Sequence, residues 1–573
     1  MPITRRRLIQ TGTAVGGAAA FGFPTLRASA ATGLAAPEGT TAASTFQKGA
    51  AGTGGYTRIV QGGGEPHVVR PDLRAPAGPQ RTTARQALMS FAHLTDVHIV
   101  DAQSPSRVEY VDRLDDTYSA GDVTLQGLLS SSYRAHEMLT THVADAMVQS
   151  VNRVGRGPVV GQKLSFAIQT GDNSDNCQYN EVRWNIDVLD GKKVTPDSGS
   201  RLAWEGVHDR VQWDPHYWHP EGKGLLQRSE DIYTSRFGFP KVPGLLDAAR
   251  RAFTPQGLKL PWFSVFGNHD GLVQGNFPHT LPLGVLGTGP LKVQTLPPGL
   301  SQTDVLTSLK TLDLKGLLDA TALGSSVRLV SPDGERRNLT RQQVVEEHFK
   351  TQGAPVGHGF TQDNRTKGTA YYTFDSGPVR CIVMDSVNPN GYADGSLDKT
   401  QFTWLQQVLA SSTDKYVIVF SHHTSSTMTN PLVATGLDLD TRVLGPAVVD
   451  LLLAHQHVIA WVNGHTHRNQ VTPHPSPDGT SGFWEINTAS HVDFPQQSRL
   501  IELVDNRDGT ISLFTTMLDH SGPTSNGGSL STSLALAALA RELAANDPQL
   551  RTGGLSGSPQ DRNTELLLTN PLA

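Results

Sequence analysis

The chain has 573 residues, 37 % of them apolar and 18 % charged, so it can bury a large core and is too apolar to be disordered throughout. A net charge of −5 argues against a dedicated nucleic-acid binder. No run of 18 or more apolar residues occurs, so no membrane-spanning helix is expected.

The first residues read as an address. Arg5, Arg6 and Arg7 precede a Gly/Ala-rich apolar stretch, and Ala28-Ser29-Ala30 supplies small residues for cleavage. The paired Arg5 and Arg6 resemble a twin-arginine (Tat) signal. Residues 1–30 are therefore expected to be a signal peptide. The Tat export machinery would be the precursor's partner, and the mature chain would be extracellular or in the cell envelope. Residues 31–85, rich in Gly, Ala, Thr and Pro, read as a linker or surface arm.

A large catalytic domain is expected over 86–520. Five short apolar runs in it end in polar clusters: SFAHLTDVH, KLSFAIQTGDNSD, LPWFSVFGNHD, YVIVFSHHTSS and VIAWVNGHTH. Each is strand-length and rich in β-branched or aromatic residues. Helical patterns lie between some of them. Leu139, Val143, Met147 and Val151 fall one turn apart, as do Phe402, Leu405 and Leu409, with Asp398 near the second helix's start. Strands alternating with helices predict an α/β sheet, whose ligands collect at strand carboxyl ends. Residues 176–260 and 272–368 read as long insertions. Trp204, Trp213 and Trp218 in the first are expected to pack within it rather than cap a site. Three further strands are expected after the last motif, with antiparallel hairpins. Residues 521–573 read as an Ala/Leu-rich helix and an irregular tail. Two cysteines, Cys177 and Cys381, make no disulfide framework, though a bond between them stays open.

The strand ends carry Asp96 and His98, Asp172, Asn268 and His269, His422 and His423, and His465 and His467. Carboxylate, imidazole and amide oxygens suit divalent transition metals. In D-x-H or H-x-H after a strand, two side chains share a face and can reach one point. Gly171, Gly267 and Gly464 permit tight turns before these residues. A lone DxH or HxH is more often a surface feature; five such pieces in order are not coincidence.

The five motifs DVH, GDNSD, GNHD, FSHH and GHTH resemble the calcineurin-like metallophosphoesterase superfamily, from about Ser90 to Leu518 with the insertions outside the pattern. The twin-arginine start and INTASHVDFPQQSR look like an exported, actinobacterial-type branch. The resemblance implies a four-layer α/β sandwich, two mixed β-sheets flanked by helices, and a site for two divalent metal ions, Mn, Zn or Fe. Asp96, His98 and His467 would hold one ion, Asn268, His422 and His465 the other, with Asp172 between them. His422 is chosen over His423 by alignment. Asp175, last in GDNSD, would orient a ligand. Purple acid phosphatases have a tyrosine ligand where this chain has Asp175 and lack the His of D-x-H, so a tyrosinate-bound ferric centre is not expected.

The implied activity is hydrolysis of a phosphoric monoester or diester, with metal-bound hydroxide attacking phosphorus in line. His269 would stand beside the leaving oxygen, oriented by Asp270. The expected substrate is a small phosphoester: a nucleotide, sugar phosphate or lipid head group. The competing reading is a non-catalytic metal-containing binding module of the cell envelope. His491, Asp493 and Arg499 either flank the cleft or sit in an ordinary connection. Arg107, Asp112, Arg113 and Asp116 read as a solvated loop.

Overall fold

The computed structural model describes residues 36–75, 77–114, 132–312, 324–433, 438–550 and 553–573. The expected signal peptide and Asp116 lie outside the described residues.

Two mixed sheets organise the chain. The first has seven strands: β1 (Val68–Arg70), β2 (Gln86–Leu94), β3 (Phe166–Thr170), β4 (Trp262–Val265) and, from much later in sequence, β11 (Gln497–Asp505), β12 (Thr510–Asp519) and β13 (Thr564–Thr569). The second has six: β5 (Tyr372–Ser376), β6 (Val379–Val383), β7 (Tyr416–Phe420), β8 (Val458–Asn463), β9 (Gln470–Pro475) and β10 (Gly482–Asn487). The spatial orders are β1-β13-β12-β11-β2-β3-β4 and β9-β10-β8-β7-β6-β5. The inner strands β2, β3 and β4 run parallel, as do β6, β7, β8 and β10. Tyr416-Val-Ile-Val-Phe420 is buried along its whole length, which suits a central parallel strand covered on both faces.

The sheets face each other across a shared core. Phe91 of β2 meets Phe420 of β7 edge-on at 5.7 Å, among Ile168, Val265, Val462 and Ile486. Helix α1 (Thr140–Val154) packs against β12 and against α2 (Tyr179–Asp190), and buries the predicted Val143, Met147 and Val151. It ends where Gly155, at φ 59°, donates its N–H to Val151 O. Helix α3 (Arg341–Phe349) adds Val344 and Val345 to the same core. On the six-stranded side, α4 (Lys399–Ala410) and α5 (Gly445–Leu453) cover Val417, Val419 and Trp461. Asp398 caps α4 by accepting from Gln401 N at 2.6 Å. The result is the expected four layers, with helices outside two mixed sheets. Among the described residues no helix is long and apolar enough to cross a membrane.

Several local expectations change. Residues 31–85 are not merely an arm: Ser44–Ala51 and Thr57–Gly63 form an antiparallel hairpin, and β1 joins the main sheet. Glycines and polar residues hide that pattern in the sequence. The tail holds both the expected helix, α6 (Ser533–Ala545), and a strand, β13, between β1 and β12. Six residues, Thr564–Thr569, gave no signal without their partners. α2 and α3, within the stretches read as insertions, belong to the helical layer. Trp204 and Trp218 do not pack within the insertion alone: they join a core with Val143 and Ala146 of α1 and Leu536 and Leu539 of α6, and Trp213 stacks on His219 at 4.0 Å. Cys177 and Cys381 are both buried and free.

Buried neutral histidines make this fold acid-sensitive. Burial pushes His142 down to about 4, although its bond to the Ala249 carbonyl opposes this. A histidine depressed below its unfolded value of 6.5 stabilises fully above pH 6.5 and loses that contribution as pH falls toward 4, on the order of 3 kcal/mol. Thermal melts in chelator should therefore fall across this window. His142→Gln should flatten the fall; an unchanged slope would remove His142 as a source.

Candidate metal centre

Both sheets deliver polar residues to one rim. Asp96 and His98 follow β2, Asp172 follows β3, and Asn268 opens a single helical turn, Asn268–Gly271, after β4. His422 follows β7; His465 and His467 follow β8. Backbone bonds zip the first two ends together: Asp96 N to Gly171 O at 3.0 Å, and His98 N to Asp172 O at 2.9 Å. The facing sheet is tied in by His465 N, which donates to Asp96 Oδ2 at 2.9 Å.

Close approach, more than turning, explains two of the three glycines. A Cβ on Gly464 would lie 1.9 Å from Thr95 Oγ1, and one on Gly267 would lie 2.1 Å from Asp172 N. Only Gly171, at φ 92°, needs the left-handed region. Instead the ligand candidates carry the unusual backbone. Asp96, His98, Asp172, His465 and His467 have φ of 49°, 47°, 51°, 71° and 57°. Such conformations cost about 1–3 kcal/mol each in non-glycine residues and cluster at functional sites.

The side chains converge. His467 Nε2 is 3.1 Å from Asp96 Oδ1, and His98 Nε2 is 3.2 Å from His467 Nε2 and 3.6 Å from Asp172 Oδ2. Asp172 Oδ2 is also 3.1 Å from His422 Nε2, which is 3.2 Å from His465 Nδ1. Asp172 thus stands between the two groups. Asp96, His98, Asp172 and His467 can together hold a cation, and so can His422, His423 and His465. Asn268 donates through Nδ2 to Gly275 O at 3.0 Å, while its buried Oδ1 has no hydrogen-bond partner. Asp96 Oδ1 likewise receives no hydrogen bond. Buried oxygens without donors are what cations would satisfy. The donor set fits divalent ions.

The electrostatics agree. Burial works against ionising Asp96 and Asp172, yet His467 and His422 respectively hold these carboxyls well below the usual range. Burial pushes His422 down, but Asp172, Asp96 and the Thr170 carbonyl together outweigh it and raise His422 to about 8. Its Nδ1 rests on the Thr170 carbonyl at 2.8 Å, leaving Nε2 toward Asp172. His423 instead engages Ser386 Oγ and the Ala393 carbonyl, each at 2.8 Å. That favours His422 as the inward residue.

His269 is held by other groups than the sequence suggested. Its N–H donates to Asp172 Oδ1 at 2.8 Å, and its Nδ1 lies 2.5 Å from the Asp175 carbonyl. Asp270 does not orient it. Its carboxylate accepts from the N–H groups of Gly267, Asn173 and Ser174 at 2.9–3.0 Å. The carboxylate clamps the GDNSD loop to the GNHD turn because a one-turn helix points its third residue back at its own N-terminus. Burial, then the charge of Asp172, pushes Asp270 up to about 6. Asp270→Ala should therefore lower both melting temperature and cation affinity; a pure loss of turnover would restore the orienting role.

Sequence reasoning left other residues unassigned. Arg107, read as solvated, is 1 % exposed and pairs with Asp175 and Glu137. Asp112 and Arg113 also have partners, Gln549 and Asp214, so the loop is packed rather than free. Asp493 binds His467 Nδ1 and the unnoticed Arg134. His491 donates its N–H to Asp96 O, and Arg499 bonds Thr488 and Thr515 inside the sheet. Nothing local marks Arg134, whose partner lies 359 residues away.

No family model matches this chain, and no curated protein matches it. Solved structures similar to it include a dimetal phosphatase from Danio rerio. That protein is 11 % identical, with 76 % of this chain and 100 % of that one covered, at a TM-score of 0.34. Another is a purple acid phosphatase from yellow lupin (Lupinus luteus) seeds, 9 % identical, covering 80 % and 56 %, at a TM-score of 0.28. Likeness at these values carries no weight for the function of this chain.

Proposed function

We propose that the protein is a metal-dependent phosphoric ester hydrolase with two cation positions. One observation carries the reading: two buried clusters that could each hold a cation, Asp96–His98–Asp172–His467 and His422–His423–His465, meet where Asp172 Oδ2 lies 3.1 Å from His422 Nε2. Asp96, His98 and His467 would hold one ion, Asn268, His422 and His465 the other, and Asp172 both. When bound, such a pair polarises a phosphoryl oxygen and makes water a nucleophile near neutral pH. The mixed N/O donor set suits Mn, Zn or Fe.

The chain's own residues supply the rest. Asp172 fixes His269 through its backbone, and the Asp175 carbonyl fixes its Nδ1. The proton exchanged with a leaving oxygen then belongs on Nε2. At 7 % exposed, His269 is the most open of these groups, which suits the one that meets substrate. The ligand side chains behind it are buried, which keeps bulk water from the charged cluster. A small mono- or diester, such as a nucleotide, sugar phosphate or lipid head group, is the substrate we infer. Export by the Tat route is part of the same reading and stands on Arg5, Arg6 and Ala28-Ser29-Ala30.

Elemental analysis of purified protein, beside a panel of mono- and diesters with added Mn and Zn, tests this directly. Two equivalents of metal and chelator-sensitive turnover are expected. Two equivalents with no turnover on any ester would favour a binding module; absence of bound metal would remove both readings.

A further inference from the structure

His98 and His467 face each other through Nε2, and each is backed by a buried ion pair. Asp175 Oδ1 lies 2.9 Å from His98 Nδ1, and its other oxygen takes Arg107. Asp493 Oδ2 binds His467 Nδ1, while Arg134 grips Asp493 in a fork, Nε to Oδ1 at 2.6 Å and Nη2 to Oδ2 at 3.2 Å. All six side chains are buried. An ionised carboxylate only accepts, so each Nδ1 carries a proton, and Nε2 is the nitrogen left to give a lone pair to a bound cation. The two Nε2 atoms lie 3.2 Å apart, close enough for one cation to take both in place of the proton they can share. His422 has no such backing; its Nδ1 meets a backbone carbonyl.

We propose that Arg134 and Arg107 are positioning residues for one of the two cations, each acting through its aspartate, Asp493 or Asp175, on a single imidazole. This rests on the two-cation reading above. The arginine keeps a buried carboxylate ionised and fixed in angle. The carboxylate in turn sets the tautomer and direction of the histidine. Because Arg107 also touches Glu137, the Arg134–Asp493 pair is the cleaner place to look.

The test is a competition between the full chain and a chelator for Zn2+, reading two affinities separately. Arg134→Gln and Asp493→Asn should each weaken one equivalent by about 10–100-fold and leave the other within about threefold. The double variant should lose no more than about threefold beyond either single, because both act through one contact. Arg134→Lys should recover part of the loss. Equal weakening of both equivalents, multiplied losses in the double variant, or unchanged affinities would overturn the proposal. Should Arg134→Gln not fold, Asp493→Asn, which keeps size and an acceptor, carries the test. A parent that binds one equivalent or none would overturn the two-cation reading itself, and the relay with it.

Discussion

His269→Ala should lower turnover by about 10²–10⁴-fold, the usual weight of an acid–base group, while cation content stays at the parent level. The residue is tied to the centre through its own backbone N–H on Asp172 and its Nδ1 at the Asp175 carbonyl. Its ring packs edge-on against His98 at 4.6 Å, so its loss leaves the ligands in place. Gly275 makes room for it: a Cβ there would lie 2.4 Å from Nε2. A His269→Ala protein with parental turnover would remove the proton-transfer role and leave the cation reading standing. Loss of bound metal in the same variant would reassign His269 as a ligand, in the group it can form with His98 and Asp175.

Asp172→Asn should have the larger effect on binding. Asn keeps the acceptor for His269 N but removes the charge lying 3.1 Å from His422 Nε2 and 3.6 Å from His98 Nε2. The loss should exceed the 10–100-fold that an outer partner costs, with at least one equivalent of metal missing and turnover near background. Elemental analysis and initial rates read both at once. Retention of two equivalents at parental affinity would mean that Asp172 does not join the two groups.

The ligand candidates were legible because each sits directly after an apolar, strand-length run. Local sequence therefore placed Asp96, His98, Asp172, Asn268, His422, His465 and His467 at strand ends, and the sheet geometry brought those ends to one rim. What supports them was not legible. Asp493 lies in a connection with no periodicity, and Arg107 looks like any charged loop residue until Asp175 and Glu137 close around it. Asp270 shows the opposite failure. Its adjacency to His269 suggested a partnership, but the helical turn aims its carboxylate at Gly267, Asn173 and Ser174. The same physics hid β1 and β13. A three-residue strand and a six-residue strand carry no signal until they are paired.

That pairing has a consequence for how the molecule comes together. Among the described residues Val68, Val69 and Arg70 find their strand partners in Thr564, Glu565 and Leu566, and Thr41 meets Asn563, 522 residues away. Residues 564–569 act as a clasp: without them the ladder of β12 lies open and β1 loses its strand partner. Contacts of such sequence separation form late and slowly. The seven-stranded half, which seats Asp96 and Asp172, is thus completed only once residues 564–569 have emerged to pair with segments made about 50 and about 500 residues earlier.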